Sequence, residues 1–298
     1  MRLSPQGGLR RAESRIGFLL VIPTLIAFCI VILYPLLRSI ALAFYRYTLF
    51  TPEPIFTGLA NFQRIAEDPR LLQSWLITLI FVICTTSLTF ILGLTWAIIM
   101  HQPFRGRGLV RSVSLLPWVF PSTVTAFLWA WMFNGQYGVI NAALLQLGAI
   151  DHPVVWLSTP GGANAAIIIA KTWLSIPLFM AFFLAGLQTL SQEQLDAARV
   201  DGAGNISLLR FVVFPHLRYT MILIAILGAI GNLQQFDVIY ALTGGGPVRA
   251  TTVLSVEVYR QAFQNWNTGL ASAIGVLWLL TIAGPAFFYL RSIFKNTA

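Results

Sequence analysis

The sequence predicts an all-α, polytopic membrane protein with about six transmembrane helices and a cytoplasmic pair of short coupling helices. Two features of the composition point to this class: the chain is 57% hydrophobic and only 10% charged, whereas about a quarter of the residues are charged in soluble domains. Its mean hydropathy is +0.77. The third observation is a series of apolar runs, each close to the ~20 residues that a helix needs to cross a bilayer.

The charge balance supports a membrane protein rather than a nucleic-acid-binding one. The chain has 19 basic and 10 acidic residues, a net charge of +9. The basic residues do not cluster with aromatic residues on polar segments, so their excess indicates membrane topology and no nucleic-acid partner. Cys29 and Cys84 lie in apolar runs without metal-ligand spacing, which predicts neither a disulfide framework nor a metal site.

The first apolar run covers residues 16–37 and follows a head that carries Arg2, Arg10, Arg11 and Arg15. The run is longer than the apolar region of a signal peptide and no small-residue cleavage site closes it, so we expect a retained helix, with Pro23 as a site of bending. Residues 38–73 contain three prolines and read as a loop with short helical pieces. We expect residues 1–69 to form the N-terminal tail, the first helix and an outer loop.

Residues 70–291 are predicted to form a core of five further helices. The predicted spans are residues 75–100, 109–133, 163–187, 219–236 and 270–290. Pro117 and Pro121 lie inside the third of these runs.

Basic residues in alternate loops set the orientation of a polytopic protein. The side that holds both termini and residues 188–218 carries 12 basic residues, and the opposite side carries 6. This bias predicts that both termini and the 188–218 loop are cytoplasmic.

The 188–218 loop has the pattern of a helix, a turn and a second helix. Ser191 and Gln194 make a capping box, and Gly202 is a natural left-handed stop. Asn205 is expected to cap the second helix and Pro215 to end it. Such a pair serves either as an interfacial helix on the lipid or as a docking element for a cytoplasmic partner.

The residues of this loop resemble a known motif. Asp196-Ala197-Ala198, Asp201-Gly202 and the terminal Pro215 are similar to the coupling loop of the inner-membrane permeases of binding-protein-dependent ABC importers. The family pattern begins with glutamate, and Asp196 keeps that charge. The resemblance implies that these six residues dock the ATPase.

A second stretch narrows the resemblance. Residues 236–247, which read FDVIYALTGGGP, and residues 251–263 are similar to the segment after the fifth span in the carbohydrate-uptake subset, which includes maltose, trehalose and glycerol-phosphate permeases. The three glycines before Pro247 are consistent either with a tight turn close-packed at a pore mouth or with a flexible connector.

This resemblance implies a set of partners in a prokaryotic cell membrane. The chain would form the pathway with a second, homologous permease, two copies of a cytoplasmic ATPase would drive it, and an extracytoplasmic solute-binding protein would deliver sugar. The sequence has no Walker A motif, so ATP and Mg²⁺ are expected in the separate ATPase and this chain is not expected to be an enzyme.

Two alternatives compete most directly with a sugar permease, and a third class is a scaffold or structural membrane subunit without a pathway. A permease for an amino acid or a phosphate ester is the nearer one, although the fifth span shows no basic cluster that would suit a phosphate. A membrane-embedded lipid-modifying enzyme needs clustered acids or histidines at the bilayer interface, whereas the ten acids here are scattered.

Polar side chains inside spans are costly against lipid and often functional. They predict the substrate pathway at Asn232, Gln234, Gln235, Asp237 and Lys171. The first four lie in the outer part of the fifth predicted span, where Asn232 and Gln235 share nearly one helical face. Planar amides can donate to and accept from sugar hydroxyls, and hydrogen bonding between helices is the alternative.

Lys171 is predicted about eight residues inside the fourth span, roughly 12 Å deep. It either contributes to the pathway or snorkels to the outer headgroups. Phe236 and Tyr240 follow the amides and could stack on a sugar ring.

Overall fold

The computed structural model describes residues 18–51 and 53–297, without the side chains of residues 285, 286 and 288–297. The basic head of the sequence therefore lies outside the described residues, as do the first two residues of the predicted first span. The side chains of Arg291 and Lys295, which also entered the topology prediction, are outside them too.

Helices make up nearly all of the regular structure. In chain order they are α1 (Phe18–Leu42), α2 (Ala60–Glu67), α3 (Pro69–His101), α4 (Arg107–Val119), α5 (Ser122–Met132), α6 (Val139–Gln146), α7 (Pro160–Gln188), α8 (Gln192–Val200), α9 (Asn205–Leu233), α10 (Asp237–Thr243), α11 (Leu254–Tyr259) and α12 (Thr268–Thr297). The two strands are β1 (Tyr45–Arg46) and β2 (Ile55–Phe56).

The described helices confirm the predicted class of a polytopic membrane protein. The helices α1, α3, α7 and α9 are each long and apolar enough to cross a membrane, and α4 with α5 makes a fifth candidate. The last helix, α12, is apolar over Thr268–Gly284. Among the described residues the structure thus shows four or five candidate spans and one shorter apolar helix, against the predicted total of about six.

The third predicted span is not one straight helix. It is broken between α4 and α5, which meet at a bend of 97°. Phe120 and Pro121 adopt extended backbone conformations at the break. Proline lacks the amide hydrogen that an uninterrupted helix needs at this point and restricts the residue before it, so Pro121 starts a new helix instead of lying inside one.

The fifth span also differs from its prediction. Helix α9 runs without a break from Asn205 to Leu233, so Pro215 does not end a short helix. Within α9, a π-helical turn at Leu209–Val213 precedes Pro215. The amide of Phe214 donates a hydrogen bond to the carbonyl of Leu209. This wider turn places Pro215 in the first turn of the next α-helical segment, where its missing N–H costs little.

The start and the end of α9 correct two further predictions. Gly204, not Asn205, is the capping residue, and no side chain caps the first turn. At the other end the helix stops at Leu233, three residues before the predicted limit. Gln235 therefore lies beyond the helix, and Asn232 and Gln235 do not share a helical face.

Internal contacts divide the chain into two units. One consists of the described residues up to Glu67 with Gln261–Val276, and the other of Asp68–Arg260 with the described residues from Leu277 onward. The domain boundary predicted at residue 69 stays a prediction.

The first unit contains a small hairpin after α1. Strands β1 and β2 pair antiparallel, with Tyr45 opposite Phe56. The buried amide of Asn61, on α2, donates to the carbonyls of Ala43 and Tyr45, each at 2.9 Å. These two bonds satisfy backbone groups that the two-residue strands leave unpaired.

The second unit is built around α3 and α7, with two apolar clusters along their length. One cluster lies among α3, α5, α7 and α10 and contains Phe81, Ala126, Trp129, Ile167 and Val238. The other lies among α3, α7 and α9 and contains Ala97, Met180, Phe183, Leu217 and Ile224. The two clusters fix the relative positions of these helices at both ends.

Candidate coupling loop and substrate pathway

The predicted coupling loop begins with a capped helix. The Ser191 hydroxyl accepts a hydrogen bond from the amide of Gln194 at 3.3 Å, which is the capping-box contact predicted for the start of α8. The helix ends at Val200, and Gly202, two residues later, has a φ of +84°. The amide of Gly202 donates to the carbonyl of Arg199, and the amide of Ala203 donates to the carbonyl of Ala198. These are the paired hydrogen bonds of a Schellman cap. The predicted left-handed stop is confirmed.

Apolar side chains anchor this loop to the spans beneath it. Leu195 from α8 and Leu209 from α9 pack against the cluster that contains Leu187 and Leu190. A cavity of about 280 Å³ remains between the loop and the ends of α3 and α7. The loop is therefore packed on the apolar cluster among α3, α7 and α9.

A polar contact ties the base of the loop together. The Thr189 hydroxyl lies 2.9 Å from His216 Nε2 and joins the end of α7 to α9. The loop is thus held at both of its ends.

The outer face of the loop is open. Asp196 pairs with Arg199 at 3.0 Å, and the side chain of Asp196 is 58% exposed. Asp201, Gly202 and Pro215 are also exposed, together with Ala197, while Ala198 is half-buried. The six predicted coupling residues therefore lie on a loop that leaves most of them accessible to a partner.

Sequence reasoning missed an apolar part of this exposed face. Val200 is 87% exposed, Ile206 82% and Phe211 70%. Ile206 lies three residues before Leu209 and seven before Val213, a spacing that predicts one shared apolar face, but the structure leaves Ile206 exposed.

The predicted pathway residues only partly come together. Lys171 on α7 and Asn232 on α9 line one cavity of about 110 Å³, together with Ser175, Gly228 and Gly231. Asn232 is buried and its amide donates to the Thr86 hydroxyl on α3 at 3.0 Å. Asn232 thus makes the interhelical hydrogen bond that was its alternative role and also borders the cavity.

The other three pathway residues lie beyond the end of α9. Gln234 and Asp237 are exposed, and Gln235 is buried. The backbone carbonyl of Gln235 accepts a hydrogen bond from the Ser255 hydroxyl at 2.6 Å. Among the described residues, Asp237 and Lys171 do not form an ion pair.

The aromatic residues of this region stack on one another. The rings of Phe236 and Tyr240 are stacked with centroids 5.0 Å apart. The ring of Tyr259 contacts both, at 5.2 and 4.8 Å. The three rings form one half-buried group beside the end of α9.

Glycines bring α7 close to its neighbours along the cavity wall. A Cβ added at Gly228 on α9 would lie 2.3 Å from the Phe179 ring, and one added at Gly93 on α3 would lie 2.6 Å from Phe179 Cβ. Phe179 therefore fills the space that the two glycines leave. The sequence gives no sign of this pairing, because glycine and phenylalanine are both common in apolar helices.

The three-glycine segment forms an ordered turn and not a flexible connector. Gly244 and Gly245 have positive φ values of 59° and 88°. The Thr251 hydroxyl donates to the carbonyl of Gly246 at 2.8 Å, and the Thr252 hydroxyl donates to that of Gly245 at 2.9 Å. The tight-turn interpretation is therefore confirmed.

An ion pair and backbone bonds hold the residues that follow this turn. Arg249 pairs with the buried Glu257. The Thr78 hydroxyl on α3 accepts from the amide of Leu254 at 2.8 Å, and the Asn164 amide on α7 donates to the carbonyl of Ala250 at 3.0 Å. The segment is fixed to both central helices.

Comparison with known proteins places this arrangement in one family. Residues 89–292 match the model of the binding-protein-dependent transport system inner membrane component. The chain is 35% identical to the trehalose/maltose transport system permease protein of Thermococcus litoralis over 283 residues, 95% of each chain. It is 30% identical to the sulfoquinovosyl glycerol transport system permease protein of Agrobacterium fabrum, covering 94% of this chain and 91% of that one.

A solved structure has the same fold. A chain of a bacterial alginate ABC transporter, determined in complex with an alginate pentasaccharide-bound periplasmic protein, superposes with a TM-score of 0.80 over 93% of each chain at 19% identity. The family model covers more than two thirds of the chain, and the two relatives cover nearly all of it. The chain therefore belongs to the family of binding-protein-dependent transport system inner membrane components, which are multi-pass membrane permeases of ABC importers.

Proposed function

We propose that the chain is a permease subunit of an ATP-driven importer that takes up a sugar. The relatives named above are permeases for trehalose or maltose and for sulfoquinovosyl glycerol, and the structural neighbour belongs to a transporter of alginate. In this proposal a second, homologous permease completes the pathway. Two copies of a cytoplasmic ATPase bind ATP and Mg²⁺, and an extracytoplasmic solute-binding protein delivers the sugar.

One structural observation carries the proposal that this chain couples ATP to transport. Helix α9 is continuous from the exposed end of the coupling loop to the cavity between α7 and α9. Ile206 near its start and Asn232 near its end are separated by roughly 39 Å at ~1.5 Å per residue. A rigid helix of this length converts a displacement of the loop into a displacement at the cavity, which is a rigid-body switching mode.

The coupling loop has the properties that an ATPase-docking element needs. Its outward face combines exposed charge at Asp196 with exposed apolar side chains at Val200 and Ile206. Its inward face is anchored by Leu195 and Leu209. An ATPase groove that binds the outward face would move the spans through the inward one, as in helix-in-groove recognition.

The cavity lined by Lys171 and Asn232 is the proposed transient sugar site. Its amide can donate to and accept from hydroxyls, and its ammonium can donate to them. Gly231, which also lines the cavity, has open space at its Cβ position. Gln234 and Asp237, exposed beyond the end of α9, would contact sugar as it enters. The proposed orientation places this end outside the cell and the coupling loop with both termini inside.

Co-purification tests the proposed assembly. The tagged chain, expressed with the gene products of its own operon, should carry an ATPase and a second permease through two purification steps in detergent. The purified complex should hydrolyse ATP faster when the loaded binding protein is added. A chain that purifies alone and shows enzymatic activity on lipid by itself would contradict the proposal and favour the membrane-embedded enzyme.

A further inference from the structure

Lys171 has no ion-pair partner in the part of the chain that the structure describes. Its side chain lines the cavity that Ser175 and Asn232 also border. The ammonium makes neither a hydrogen bond nor an ion pair with any described residue. Asp237 is the carboxylate that acts on it, from beyond ion-pair distance.

Position along the helix argues against simple snorkelling. Lys171 is the eleventh residue after Pro160, the first residue of α7, and so lies about 16 Å along the helix axis. Lys171 thus lies more than a third of the way along the 29-residue helix, well inside the span predicted from the sequence. A lysine that serves only solubility points towards the nearer headgroups, whereas this one borders an internal cavity.

An ammonium at this depth requires a counter-charge. A lone cation inside a span is costly, and such residues pair with other groups or mark substrate pathways. The neighbouring cavity residues Ser175, Gly228 and Asn232 carry no charge, and the remaining lining is aliphatic or aromatic. The cavity therefore favours an anionic occupant that also offers hydroxyls to Ser175 and Asn232.

We propose that Lys171 recognises the anionic group of the cargo, and that the cargo is a sugar with a single negative charge, a uronic acid being the simplest case. This inference rests on the proposed function of the same cavity. One ammonium matches one carboxylate. The cavity lining offers no second positive charge for a dianion such as a phosphate monoester, so a monoanion fits the local charge better.

Transport by the whole complex gives the first test. The complex is reconstituted in liposomes with its binding protein and ATP. The probes are galacturonic and glucuronic acids and their disaccharides, compared with galactose, glucose, maltose, lactose and a mixture of amino acids. The proposal expects import of at least one uronide in preference to its neutral parent. Import of neutral sugars alone would overturn the inference and leave the proposed function standing, whereas import of an amino acid and no sugar would overturn both.

Three variants locate the recognition. Lys171→Met removes the charge at similar length and should lower uronide import at limiting concentration at least tenfold. Lys171→Arg keeps the positive charge and should retain most of the uronide import. Asp237→Asn removes the opposing carboxylate and should lower the half-saturating uronide concentration. Uronide import by Lys171→Met at the wild-type rate would overturn the proposal and indicate that the counter-charge comes from the partner permease.

A measurement on the wild-type complex does not depend on variants that assemble. Ligand-observed NMR, with the binding protein omitted, compares galacturonic acid with its methyl ester. The acid should show saturation transfer from the complex, and the ester should show several-fold less because it has the same ring without the charge. Equal transfer to both would contradict recognition by Lys171.

Discussion

The amide of Asn232 donates a 3.0 Å hydrogen bond to the hydroxyl of Thr86, which ties α9 to α3 beside the proposed sugar site. The amide nitrogen of Asn232 is therefore bonded to a neighbouring helix, while the residue also borders the cavity. Its amide can accept from a sugar hydroxyl through the oxygen while the nitrogen remains bonded to Thr86.

The first prediction separates these two roles of Asn232. Asn232→Ala removes both contacts, and Thr86→Val removes only the bond between helices. Loss of one hydrogen bond costs about 1 kcal/mol, so both variants should still assemble. Uptake should fall severalfold more in Asn232→Ala than in Thr86→Val, measured as initial uptake rate and, separately, as basal ATPase rate.

Gln235→Ala extends this test to the buried residue beyond the helix. If Asn232→Ala and Thr86→Val reduce uptake equally, and Gln235→Ala leaves it unchanged, then the amides serve packing alone. The sugar site would then lie elsewhere, for example in the partner permease.

The second prediction concerns the end of α8. Gly202 has a φ of +84°, and a residue with a Cβ pays about 1–2 kcal/mol there, more when it is β-branched. Gly202→Val should rotate the second helix of the loop and abolish uptake, while the amount of protein in the membrane stays the same. The amount of ATPase that co-purifies with the Gly202→Val chain should also fall.

Gly204 supplies the matched control for this substitution. It lies two residues away, has an ordinary φ of −73°, and has open space around its Cβ position. Gly204→Ala should transport at close to the wild-type rate. Wild-type uptake by Gly202→Val would mean that this loop is not the coupling element.

The third prediction concerns the contact between α7 and α9. Gly228→Ala would place a methyl group 2.3 Å from the Phe179 ring. Overpacking of this kind costs about 1–3 kcal/mol, so the apparent melting temperature of the purified complex should fall. Phe179→Leu in combination with Gly228→Ala should restore part of the loss, because it removes the ring that the methyl group meets.

Gly231 provides the control on the same helix, since nothing lies within 4 Å of its Cβ position. Gly231→Ala should melt at or slightly above the wild-type temperature, because alanine favours helix over glycine by about 1 kcal/mol. Equal melting of Gly228→Ala and the wild type would show that α7 and α9 are farther apart in the assembled complex.

The fourth prediction concerns orientation. In a variant that lacks Cys29 and Cys84, single cysteines at positions 204 and 295 should resist a membrane-impermeant thiol reagent in intact cells. A cysteine in place of the exposed Tyr137 should be labelled, because the loop after α5 is expected outside. Labelling at position 204 with protection at position 137 would reverse the proposed topology.

Much of the fold was predictable because long apolar runs are a sufficient signal for membrane-spanning helices. The left-handed end of α8 was also predictable, since Gly202 follows a capped, charged helix. The effects of the prolines on the helices were harder to predict. Pro121 separates two helices at a 97° bend, whereas Pro215 follows a π-helical turn that lets α9 continue. The residue type alone does not distinguish these outcomes, because the preceding turn decides them.

The candidate site was predictable in composition but not in geometry. Lys171 and Asn232 stood out as polar residues in apolar spans, yet only packing brings them to one cavity across 61 positions of sequence. Gln235 was placed on the helix because the apolar run before it shows no stop signal. Gly228 and Phe179 gave no signal, since close approach of two helices depends on how their surfaces meet.

ATP-driven uptake by the purified complex tests the central claim most directly. The complex that contains this chain is sealed in liposomes with ATP inside, the binding protein and radiolabelled sugars are added outside, and initial uptake rates are measured. We predict uptake of a sugar that requires both ATP and the binding protein and that is lost in Gly202→Val but kept in Gly204→Ala. Sugar uptake that persists without ATP, or that is equal in the two glycine variants, would contradict the account.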